Sequence, residues 1–297
     1  MKILKLFRPQ NLALLAFAQL VFRYGFLEQQ PGLLLALNHW QYALLVLSCV
    51  LIAAGGSLME AISGSEKYSG GLSEARGYNI YMIINFAAIG IGYYIASFIG
   101  RPGFVAVFLI AAALLFISAT NLRQVMLLSN VLTAITAGMS IIIISIFNFY
   151  PFLVMENRQY FQTMFRLTID FSIFITLLVL IYTLLIDLYN TDKDYNTGKN
   201  TLPIAIGRKR SNKIVFGLTL LPCVLLLYYG QTYLSGLLWA LGYGLFFILG
   251  PLIYLLIKIW SAKTETDYRH LGNVLKLVIA FTVVFTVVIT LNIRQHA

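Results

Sequence analysis

Three carboxylates, Asp187, Asp192 and Asp194, crowd the stretch DLYNTDKDYNTGKNTLP (187–203), where a long apolar run gives way to polar chain. The sixteen residues before them, 171–186, carry no charge. Holding ionisable groups beside hydrocarbon costs several kcal/mol, so such groups usually mark a site. Carboxylate oxygens suit a hard divalent cation such as Mg2+. Lys199 and the run Arg208-Lys209-Arg210 follow closely, so a metal and an anionic headgroup could meet here. The bland alternatives are a solvated helix terminus for the carboxylates and loop charge for the basic run. Gly198 and Thr201-Leu202-Pro203 read as a helix stop followed by a turn.

The elements that position these residues follow from composition. The chain has 297 residues, 60% of them apolar and 11% charged, with a mean hydropathy of +0.83. A soluble domain would carry about a quarter charged residues. The expected class is therefore an all-α integral membrane protein, one polytopic domain over 1–297. A crossing needs roughly 20 apolar residues, and helix is the expected form because backbone groups find no partner in lipid. About nine spans are expected, at 11–27, 39–58, 78–99, 103–119, 124–149, 161–188, 213–229, 233–260 and 271–293.

The formal net charge of +10 points to orientation rather than to nucleic acid, because inner loops collect Lys and Arg. With the N-terminus inside, the loops 59–77 and 189–212 share its basic, cytoplasmic face. A bacterial inner membrane is the expected location. The opening MKILKLFRPQ has the basic flank of a signal peptide without a cleavage site, and reads as a retained first helix. Cys49 and Cys223 lie in apolar runs, which argues against a disulfide framework. Arg166 and Asp170, four residues apart in the sixth span, read as an ion pair inside the bundle.

The stretch DLYNTDKDYNTGKNTLPIAIG (187–207) resembles the second acidic motif of the UbiA family of intramembrane prenyltransferases, which has the form KDxEDxxGDxxxGxxTLPxxxG. Arg8-Pro9-Gln10-Asn11 is similar to the family's start of helix one, and Arg123 to Asn130 to its basic residue and intramembrane Asn around helix five. The nine-span layout, with long loops after spans two and six, is also the family's. LIAAGG and the GRPGF turn at 100–104 look closest to bacterial members described as geranylgeranylglycerol-phosphate geranylgeranyltransferases.

The resemblance implies a helical bundle around a lipid-accessible cavity. It implies two facing acidic motifs that hold Mg2+ for a polyprenyl diphosphate. It also implies transfer of the prenyl group to a membrane-associated acceptor, such as a glycerol-phosphate lipid or an aromatic ring. The chemistry is consistent with this, since a diphosphate leaves poorly until its charge is neutralised.

The chain departs from that pattern. The Asn and two Asp positions of the first motif fall on Met59, Ser63 and Lys67, whose thioether, hydroxyl and ammonium cannot replace carboxylates around Mg2+. Glu60 and Glu66 lie nearby but are rotated off that helical face. In the second motif Asp187 and Asp194 match, the acidic position between them is Asn190, and Asp192 is additional. The resemblance thus assigns one Mg2+ to Asp187, Asn190 and Asp194. It assigns substrate contacts to Arg123, Asn130 and Lys199, with Lys67 as a further phosphate contact at a former ligand position. Two functions stay open, an active prenyltransferase and a catalytically inactive relative that binds a prenyl lipid. A transporter or unrelated scaffold is a third reading, hinted at only by Arg166 and Asp170.

Overall fold

The computed structural model describes residues 3–63, 72–120, 125–153 and 158–296. Eight helical segments in it are long and apolar enough to cross a bilayer, and the chain is an integral, multi-pass membrane protein. In chain order the α-helices are α1 (Pro9–Val21), α2 (His39–Ile62), α3 (Glu74–Phe98), α4 (Val105–Ala119), α5 (Leu128–Phe149) and α6 (Arg158–Tyr189). Then come two short helices, α7 (Thr191–Asn196) and α8 (Leu202–Ile206), followed by α9 (Arg208–Tyr233), α10 (Leu238–Tyr243), α11 (Gly250–Ser261) and α12 (Glu265–His296). Helices α10 and α11 are joined through a π-helical turn, Gly244–Leu249, into one crossing.

The first expected span differs from a regular crossing. Helix α1 ends at Val21, the chain continues as a π-turn over Phe22–Phe26, and a 3-10 turn closes it at Leu27–Gln29. This turn packs closely on α12. A Cβ at Gly25 would stand 2.6 Å from Cγ2 of Val287 on α12, so only glycine admits this approach. Phe22, on the same turn, is buried and stacks on Phe171 at 5.1 Å. Eight regular crossings and one interrupted segment therefore stand where about nine were expected.

Contacts gather the chain into two compact units: Met1–Leu20, Gly32–Arg123 and Ile135–Asp170 in the first, Val21–Pro31, Gln124–Ala134 and Phe171–Ala297 in the second. In the first unit α2, α3 and α4 pack on one another. Asn38 caps α2 in a reciprocal box with Gln41, satisfying two backbone donors at the helix start. Gly55 faces Asn85, and Gly92 faces the Phe108 ring, so small residues let these helices approach closely. Ser48 Oγ donates to Ala88 O at 2.8 Å, and the Ser145 and Thr168 hydroxyls lie 2.7 Å apart, which satisfies polar groups away from water. Arg166 is exposed on α6 and Asp170 is half-buried.

In the second unit α11 packs on α9 and α12, and α10 packs on α12. Asn212 Nδ2 donates to the Ile259 and Ala262 carbonyls, both at 3.0 Å, and so ties the start of α9 to the end of α11. Helix α9 begins at Arg208, five residues before the expected 213, because its basic first turn lies outside the apolar part of the span. Cys49 and Cys223 are both free.

Candidate functional site

The site is built where α6 ends, in the second unit. Asn190 leaves the helical conformation (φ −92°, ψ 12°) and begins α7. Thr191 Oγ1 lies 2.9 Å from the Leu188 carbonyl and 3.2 Å from that of Asp187, satisfying acceptors that a helix end leaves without partners.

Eight residues after Asn190 the chain turns back at Gly198, which has φ +69°. Gly198 N donates to Tyr195 O at 3.2 Å, and Lys199 N donates to Asp194 O at 3.0 Å. These are the two bonds of a Schellman closure, which needs a left-handed residue at its corner. The same fold-back carries the Lys199 side chain over Asp194, with Nζ 3.7 Å from Oδ1. Asp194 is 3% exposed, so this carboxylate is turned inward rather than into water.

Asp187 sits seven residues earlier, half-buried on the last turns of α6. Asn130 Nδ2, on the first turn of α5, donates to its Oδ2 at 2.8 Å. Asn130 is itself buried, and α5 starts just after Leu127, a non-glycine residue at φ +69°. Backbone strain of that kind is held only where surrounding structure fixes it. The bond joins two residues 57 positions apart that the sequence had singled out separately.

The remaining expected residues divide sharply. Asp192 has a side chain 71% exposed and meets Arg208 Nη2 at 3.3 Å, a solvated pair of little energetic weight. Lys209 and Arg210 are exposed. Thr201 begins α8, Leu202 and Pro203 are buried, and Gly207 (φ +84°, ψ 152°) both ends α8 and begins α9. Arg123, Lys67 and Glu66 lie outside the described residues.

In the first unit Met59 is fully buried, in an apolar cluster with Leu58, Ile62 and Ala119 that Phe7, Ile80 and Phe116 extend. Ser63 is half-buried and follows the end of α2. Glu60 pairs with Arg8 at 2.9 Å. The first position of that motif is thus absorbed into packing, and the neighbouring Glu60 into a partly exposed ion pair.

Neither a family model nor a curated protein matches the chain. Solved structures do. The apo form of a UbiA homolog from Aeropyrum pernix K1 superposes with a TM-score of 0.65 at 11% identity, over 100% of this chain and 99% of that one. A UbiA homolog from Archaeoglobus fulgidus, bound to GPP and Mg2+, gives 0.62 at 13% identity over 96% and 99%. A digeranylgeranylglyceryl phosphate synthase gives 0.64 at 13% identity over 97% of both chains. The chain has the UbiA fold.

Within this UbiA fold the donor set can be tested against Mg2+. No group of three or more His, Cys, Asp or Glu gathers among the described residues. The second unit offers oxygen only: the Asp187 and Asp194 carboxylates and the Asn190 side-chain amide. Oxygen donors suit a hard cation, and an amide donating to one oxygen of Asp187 is the support that a ligating carboxylate usually has. By donor type these residues suit one hard cation. Among the described residues of the first unit, a buried thioether and an Arg-paired glutamate make no carboxylate set for a second ion.

The sequence reading also missed a residue. Lys276 lies inside α12, half-buried, with its ammonium 5.4 Å from the centre of the Tyr182 ring on α6. Its signal was available: a single cation inside an apolar span is costly and so is a flag for function. Hydropathy averaging hid it.

Proposed function

We propose that this chain is a membrane prenyltransferase. It takes a polyprenyl group, in the first instance geranylgeranyl, from its diphosphate and transfers it to a membrane-associated acceptor such as a glycerol-phosphate lipid or an aromatic ring. The observation that carries the reading is the Asn130–Asp187 bond, on a fold shared with proteins solved with GPP or DMAPP and Mg2+. Two residues that the resemblance places at the substrate meet there.

Asp187, Asn190 and Asp194 would hold one Mg2+, which when bound neutralises the diphosphate and makes it a better leaving group. The chain's own groups do the rest. Asn130 fixes the Asp187 carboxylate in one orientation. Lys199, 3.7 Å from Asp194, would supply a positive charge to a phosphate oxygen. Arg123 and Lys67 belong to the proposal as further phosphate contacts. Apolar walls keep water from the allylic carbon while the C–O bond breaks. In the orientation set by Lys and Arg, these groups face the cytoplasm of a bacterial cell.

Burial of Met59 and the Arg8–Glu60 pair favour a second reading, a catalytically inactive protein that binds a prenyl lipid. One experiment separates the two. Purified protein in nanodiscs is incubated with radiolabelled geranylgeranyl diphosphate, candidate acceptors and Mg2+, with and without chelator. Chelator-sensitive product supports transfer. Binding without product supports the inactive reading, and neither binding nor product refutes both.

A further inference from the structure

We infer that Lys276 is a phosphate-binding residue of this site, meeting phosphate oxygens of the lipid substrate from the α12 side. The inference rests on the proposed handling of a prenyl diphosphate and adds a residue to it.

Position is the first argument. Lys276 stands eleven residues past Glu265, about 16 Å along α12 at the helical rise. The apolar span opens at Leu271, so Lys276 lies five residues, about 7.5 Å, inside it. An ammonium beside hydrocarbon carries a desolvation cost that methionine or leucine in the same place would not.

Direction is the second. Gly272 lies one turn earlier on α12, and a Cβ there would stand 3.9 Å from Tyr182 Cε2. The Tyr182 ring thus lies along the Gly272–Lys276 face, and the ammonium rests near that ring rather than against lipid. Tyr182 is five residues before Asp187, about 7.5 Å along α6. Lys276 accordingly reaches α6 just inside the level of the carboxylates.

Chemistry is the third. An aromatic face holds a cation by its quadrupole without taking its N–H donors. An ammonium has three donors, so a group near a ring can hold more than one partner, an anion among them. The second unit then combines carboxylates suited to a cation, Asp187 and Asp194, with ammonium groups suited to phosphate, Lys199 and Lys276. A diphosphate-headed lipid, or an acceptor lipid ending in phosphate, matches that pairing.

The test uses the full chain in nanodiscs with chelator present, so that metal does not mask the lysine. Affinity is measured for geranylgeranyl diphosphate, for the phosphate-headed lipid geranylgeranylglyceryl phosphate, and for uncharged geranylgeraniol. Lys276→Met should weaken at least one phosphate ligand about tenfold while geranylgeraniol is unchanged, and Lys276→Arg should keep most of the affinity. Loss confined to the diphosphate assigns Lys276 to the donor; loss confined to the monophosphate assigns it to the acceptor.

A separate measurement needs no variant. Amine acylation of Lys276 in the wild-type protein, read by mass spectrometry, should slow when the ligand is bound. Unchanged affinity in Lys276→Met overturns the inference, as does equal acylation with and without ligand. If the wild-type protein binds neither phosphate ligand with chelator, nor with Mg2+ restored, the proposed function falls with it. If it binds and Lys276→Met binds equally, only the assignment of Lys276 fails.

Discussion

Placing a carboxylate at position 59, the first motif's Asn position, should damage this protein rather than give it a second metal. Met59 is fully buried among Leu58, Ile62 and Ala119, with Phe7, Ile80 and Phe116 around them. Truncating a buried methionine costs about 2 to 5 kcal/mol. An aspartate loses much of that packing. It must also stay protonated or bury a charge without a partner, which adds about 1 to 3 kcal/mol for the neutral form alone. Glu60 does not help, because another carboxylate repels and Arg8 is already engaged with it.

The total, about 3 to 6 kcal/mol, is a large part of an ordinary folding free energy of about 5 to 15 kcal/mol. Met59→Leu, close in volume, should cost under about 1.5 kcal/mol. Denaturant unfolding of the purified protein, followed by circular dichroism with and without Mg2+, reads both variants. The reasoning is refuted if Met59→Asp is as stable as the wild type and gains stability from Mg2+. That result would mean the side chain can leave the cluster and face a site.

Two more substitutions probe the two units. Asn130→Ala removes the 2.8 Å donor to Asp187, a bond to a charged group worth about 1.5 to 3 kcal/mol. Prenyl diphosphate binding in the presence of Mg2+, measured by displacement of a labelled ligand, should weaken tenfold or more; equal affinity would remove Asn130 from the site. Gly92→Ala sets a Cβ 2.5 Å from the Phe108 ring, and overpacking of this kind costs about 1 to 3 kcal/mol. A lower unfolding midpoint is expected, and an unchanged one would show that α3 and α4 can separate freely.

Much of the fold could be read along the chain because lipid permits few solutions. An apolar run of twenty residues with no partner for its backbone becomes a helix, and spans two to nine fall near the runs that announced them. The misplaced details lie outside what hydropathy reads. The π-turn at Phe22–Phe26 packs on Val287, and α9 extends back to Arg208 because a basic turn can be helical outside the apolar layer. Neither leaves a mark in hydropathy.

The site divides in the same way. Gly198 before Thr201-Leu202-Pro203 is local turn chemistry, and the stop it predicts is present as the Schellman closure. The Asn130–Asp187 contact spans 57 residues, and no periodicity could pair them; only the resemblance placed Asn130 near the substrate. Met59 read as a lost ligand, whereas the structure shows what replaced that role: a core methionine. Lys276 was visible as a charge in a span, but its direction depends on Gly272 and Tyr182, which belong to different helices.

The closed corner at Gly198 bears on how fast a guest can settle. Main-chain bonds made by the chain itself keep Asp194 inward and Lys199 above it, so this rim takes its shape at folding, before anything docks. The freedom that a floppy loop would surrender on capture is already gone. Arrival should then depend on diffusion within the bilayer plane and on shedding hydration, with little lag for rearrangement. Loosening that corner, by a residue that resists a left-handed turn, would show itself first as slower capture.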